Sequence, residues 1–123
     1  MTDEKKLTAE ETLCGFIDAW QKREWKKLLN YVQISVLESW GDDIRQRIEY
    51  IKSQFWRTPI EVTFLSIKQL NDVVYEAHLS YDYAPARGTL AKTERHVRII
   101  CEKGYMLPDP NGTWGVVPAT IFI

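Results

Sequence analysis

The period of the apolar residues changes once along this chain, at Pro59, and that change orders the fold as helices first and strands second. Before it, Leu13, Phe16, Ile17 and Trp20 recur at i, i+3, i+4 and i+7, and Ile44, Ile48, Ile51 and Phe55 keep a helical spacing, so each segment buries one face of a helix. After it, Val73, Tyr75, Ala77, Leu79, Tyr81 and Tyr83 alternate with Glu76, His78, Ser80 and Asp82. That is the period of a strand with one face buried. The expected class is α+β, with the helices packed on an antiparallel sheet.

Local signals set the boundaries. Thr8-Ala9-Glu10-Glu11 has the form of a capping box, which starts the first helix at Ala9. A break near Lys22 and Arg23 separates it from a short second helix over residues 24–32, with Trp25, Leu28, Leu29 and Val32 inward. Residues 33–40 read as either strand or loop. Gly41 ends them, and Asp42 offers an N-cap for a third helix from residue 43 to about residue 56, closed by Thr58-Pro59. In the first strand Ile60, Val62 and Phe64 share one parity and Leu65 and Ile67 the other, which predicts a β-bulge near Phe64 or Leu65 and a bent strand. Asn71-Asp72 forms a turn, residues 84–91 a loop, residues 92–103 a third strand and, after Asn111-Gly112, residues 113–122 the last.

Charge selects the pairing of the second and third strands. If partner numbers sum to 174, Asp82 meets Lys92, Glu76 meets Arg98 and His78 meets His96, whereas a sum of 176 sets Asp82 against Glu94. Opposite charges favour the first register. The other face then pairs Tyr81 with Thr93, Ala77 with Val97 and Tyr75 with Ile99.

A chain of 123 residues has room for one core, so residues 1–7 read as a polar tail and 8–123 as a single domain. Five Trp, six Tyr and four Phe give that core large side chains to bury. The formal net charge of -1 provides no field for nucleic acid or an anionic membrane, and the basic run Lys22, Arg23, Lys26, Lys27 reads as a solvated helix face. No apolar run approaches the roughly 18 residues of a membrane span. Cys14 and Cys101 belong to no metal or redox motif and read as buried thiols of a reduced, cytoplasmic protein.

Helices followed by long antiparallel strands, the first of them bent, resemble the NTF2-like superfamily over about residues 8–122. Asn111-Gly112-Thr113-Trp114-Gly115-Val116 is similar to the last strand common in that group, and Glu24-Trp25-Lys26-Lys27-Leu28-Leu29 resembles its second-helix segment. The resemblance implies a cone of three N-terminal helices on a curved sheet of about four strands, and a homodimer, because sheets of this superfamily commonly pair. It also implies a pocket in the cone, used by isomerase-like and dehydratase-like enzymes and by binding domains alike.

Enzymes of that kind need an ionisable group on the inner face of the sheet. Here the inward parity carries Tyr75, Tyr81, Tyr83 and Arg95 but no Asp, Glu or His, so no catalytic residue carries over. His78 and His96 fall on the opposite face without the spacing of a metal motif. Arg95 either meets a small anionic or polar ligand, with Tyr75, Tyr81, Tyr83, Trp20 and Trp56 as aromatic walls and Trp40 as a further candidate, or snorkels to the rim. No nucleotide-binding, zinc-protease or esterase motif is present, and no cofactor is expected. The expectation is therefore a non-catalytic domain that self-associates and binds a small ligand or a protein partner. The alternative is an isomerase or dehydratase with an acid displaced by a register error.

Overall fold

The computed structural model describes residues 7–55, 58–84 and 93–121. Helix α1 (Ala9–Gln21) opens on the capping box: Glu11 N–H donates to Thr8 Oγ at 3.1 Å and Thr8 N–H to Glu11 Oε1 at 2.9 Å. Its apolar stripe, Leu13, Phe16, Ile17 and Trp20, is buried. The expected break is a Schellman-type stop, with Glu24 N–H donating to Ala19 O and Arg23 N–H to Trp20 O. Arg23 takes the left-handed position at φ 58°.

The second helical segment is tighter than its sequence suggests. One turn of α2 (Trp25–Leu28) runs straight into a 3₁₀ turn (Leu29–Tyr31). Residues read as strand or loop instead form a helix, α3 (Ile34–Ser39), so among the described residues four α-helices precede the sheet rather than three. Its supports are distant in sequence: Gln33 N–H donates to Val116 O at 2.9 Å, and Ser35 N–H donates to the Glu102 carboxylate at 2.9 Å. Helix α4 (Ile44–Gln54) is capped by Asp43 rather than Asp42, the Asp43 carboxylate accepting from Arg45 N–H at 2.9 Å. No described helix is long and apolar enough to cross a membrane.

Among the described residues five antiparallel strands make the sheet: β1 (Thr58–Asn71), β2 (Val74–Ala84), β3 (Thr93–Gly104), β4 (Leu107–Pro108) and β5 (Thr113–Val116). Their order is β1-β2-β3-β4, with β5 also on β3. The register of β2 with β3 is the one that charge selects: Glu76 faces Arg98, His78 faces His96 and Tyr81 faces Thr93. The Asp82 to Lys92 pair lies outside the described residues. β1 is bulged where its parity changes, between Phe64 and Ser66, and also between Ile60 and Thr63 and between Gln69 and Asn71, which bends the strand along its length.

The last strand stops at Val116, short of the expected residue 122. Val117 N–H still donates to Arg98 O at 2.9 Å, but Pro118 has no N–H to continue the ladder, and a 3₁₀ turn (Pro118–Ile121) follows.

Helix α1 packs across the sheet, and the two layers close on a group of aromatic rings. Trp20 meets Phe55 edge-on at 4.8 Å and Tyr81 at 5.8 Å, and Phe16 meets Phe55 at 5.5 Å. Burial of each such ring contributes about 1.5–3 kcal/mol.

Two backbone positions test this architecture. The Gln33 main chain passes over Gly115 so closely that a Cβ there would sit 2.4 Å from Gln33 Cα, whereas a Cβ at Gly104 would meet only the Leu107 side chain at 3.5 Å. Gly115→Ala should lower stability by about 2–3 kcal/mol in urea titration, and Gly104→Ala should stay within about 0.5 kcal/mol of the parent. Met106, in the turn between β3 and β4, is two-thirds exposed and held at φ 56°. Met106→Gly should therefore raise stability by about 1 kcal/mol in the same assay.

Candidate functional site

The aromatic residues assigned to a ligand wall separate into different environments. Trp20 and Tyr81 are buried and touch each other, and the Trp20 indole N–H donates to Phe55 O at 3.2 Å. Tyr75 is half-buried and packs edge-on against Trp114 at 5.1 Å. Trp40 stacks on Tyr50 at 5.6 Å, in α4. Trp56 and the Tyr83 side chain lie outside the described residues.

Arg95 sits opposite Leu79 in the ladder, on the inward parity, but its head group turns to the edge of β3. Its Nε donates to Ile121 O at 2.7 Å and an Nη to Glu94 O at 2.8 Å. Two carbonyls satisfy donors of the guanidinium without neutralising it. The charge borders an open hollow of about 480 Å³ with Glu76, Glu94, His96, Arg98 and Thr120, away from Tyr75, Tyr81 and Trp20. Of the described residues expected at a ligand site, only Arg95 lines that hollow.

On that same hollow the sheet builds a polar cluster. The His78 and His96 rings stack at 4.3 Å with 17° between their planes, as direct cross-strand partners do. His78 Nε2 donates to Glu94 Oε1 at 2.8 Å, and Arg98 Nε donates to Glu76 Oε2 at 2.9 Å. His96 Nδ1 lies 3.9 Å from the other Glu76 oxygen. The Arg98 hydrogen bond, reinforced by the charges of Arg98, His96 and Lys68 against a smaller cost of burial, holds the Glu76 carboxyl below its ordinary value of 4.5. Among the described residues no group of three or more His, Cys, Asp or Glu is placed to hold a metal ion.

Cys14, expected to be buried, is exposed on α1 beside a smaller hollow lined by Ile17, Asp18, Gln21, Val62 and Phe64. Partial burial and the carboxylates of Glu10 and Glu11 push its thiol up, which disfavours the thiolate a nucleophile needs. Cys101 is buried, as its sequence suggests.

Glu102 is a polar residue that sequence reasoning passes over. It is 3 % exposed, and its carboxylate accepts from Ser35 N–H at 2.9 Å and from Ser35 Oγ–H at 2.5 Å, while Met106 N–H donates to Ser35 Oγ at 2.8 Å. The group is a structural clasp between α3 and the turn from β3 to β4. By parity Glu102 belongs with the solvent-facing Glu94 and Arg98, yet it is buried where Ser35 of α3 meets it.

No protein family matches the sequence, and no curated protein matches it either.

The Glu76 network has a sign that pH reveals. Because folding lowers the Glu76 pKa, the stability it contributes is complete above the ordinary carboxyl value and is lost as pH falls through the lowered one. Arg98→Met should raise the Glu76 midpoint in a carbon-detected NMR titration and remove that part of the acid-side loss. A midpoint that does not move assigns the effect elsewhere.

Proposed function

We propose that this chain is a non-catalytic NTF2-like domain that works by association, pairing with a second copy of itself and holding a small ligand or a protein partner in or near the cone. The observation that carries this reading is the packing of Phe16, Trp20, Phe55 and Tyr81 into the space between helices and sheet. Enzymes of that fold hold substrate there, and here four rings occupy it. The alternative, an isomerase or dehydratase, needs an acid or base within hydrogen-bond reach of the inner tyrosines. His78 and Glu94, the best candidates, instead pair with each other on the opposite face, with the Glu94 side chain 60 % exposed.

Self-association draws support from β1. It has no second strand neighbour among the described residues, and it exposes Phe64, Leu65 and Leu70 along its length. An apolar strand at a sheet edge is a surface that another chain can cover.

Sedimentation equilibrium at micromolar concentration tests the pairing. The expected result is twice the monomer mass for the parent and the monomer mass for the double variant Leu65→Lys, Leu70→Lys, whose exposed positions leave the core untouched. A monomeric parent, or a variant that still pairs, removes β1 as the contact.

A further inference from the structure

Helices α2, α3 and α4 surround an open hollow of about 580 Å³, a size typical of small-ligand sites. Trp25, Leu29, Leu37 and Ile44 give it apolar walls. Lys26 and Lys27 from α2 and Arg47 from α4 add three cations, against the one carboxylate of Glu24. In a chain whose net charge is -1, this is a local reversal of sign.

The cations are available. Neither Lys26 nor Lys27 has an ion pair or a side-chain hydrogen bond among the described residues. Arg47 donates from Nε to Gly41 O at 2.6 Å, which orients the guanidinium and leaves its terminal amines without another partner among the described residues. Gly41 holds φ 89°, a conformation that glycine adopts without strain, so the carbonyl that orients Arg47 depends on that residue type. Terminal amines of an oriented guanidinium match the two oxygens of a carboxylate.

We infer that this hollow binds a small carboxylate whose body carries an aryl ring. The body covers Trp25, Leu37 and Ile44, and the carboxylate meets Arg47 and the two lysines. Ile44 is half exposed, so the ligand removes apolar surface from water while it neutralises charge. The inference gives the ligand-binding part of the proposed function a place and a chemistry that differ from the edge of β3 where Arg95 lies.

Three probes separate the contributions: 4-phenylbutyrate carries both charge and ring, 4-phenylbutylamine reverses the charge, and butyrate lacks the ring. In amide-resolved NMR titrations of the whole chain, 4-phenylbutyrate should give saturable shifts at Trp25, Leu29, Leu37, Ile44 and Arg47. The other two probes should bind at least tenfold more weakly. Lys27→Glu combined with Arg47→Gln should weaken 4-phenylbutyrate at least tenfold with an unchanged melting temperature. Equal binding of the amine, shifts confined to other surfaces, or no saturable shift at all would overturn the site. Each of those failures leaves pairing through β1 standing, because sedimentation reads that separately.

Discussion

Trp20 donates its indole N–H to the Phe55 carbonyl while its ring meets Phe16, Phe55 and Tyr81 edge-on, so one side chain joins α1, the end of α4 and the middle of β2. The hydrogen bond matters as much as the area. A buried indole N–H without a partner would cost about 1–3 kcal/mol, and the Phe55 carbonyl, beyond the last turn of α4, needs a donor. With both satisfied, the interior is filled at this point, and polar chemistry moves outward to the sheet face and the helix surface.

Those two surfaces differ in kind. On the sheet, each group of the His78, His96, Glu76, Glu94 and Arg98 cluster has an ionic or hydrogen-bonding neighbour, and Arg95 at its border is held by two carbonyls, so the cluster largely answers itself. On the helices, Lys26, Lys27 and Arg47 share one carboxylate. A near-neutral chain can thus carry a compensated face and an uncompensated one, which net charge alone conceals.

The sheet was legible where one face is buried and the other wet. From Tyr75 to Tyr81 every second side chain turns to the core, and cross-strand charges then leave one register for β3. Helix α1 was legible from its cap and stripe. Residues 34–39 were not, because their helical state depends on Val116 and Glu102 rather than on a local pattern. Arg95 has the inward parity read from the sequence, yet a long side chain follows the nearest acceptor, and the Ile121 carbonyl stands at the strand edge. The hollow among α2, α3 and α4 was illegible for a related reason: Lys26 and Lys27 read as solvated, and only the tertiary approach of Leu37, Ile44 and Arg47 gives them a neighbourhood.

The clasp of Ser35 on Glu102 bears on the order in which the chain folds. Six residues are too few to hold a helix alone, and α3 has no side-chain hydrogen bond from its own N-cap. Its carboxylate partner lies 67 residues downstream. Glu102 follows β1 and β2 in the chain, so the contact with Ser35 forms only once β3 is present. Closing a loop of that length costs more chain entropy than a local cap would, so α3 depends on the sheet for its stability.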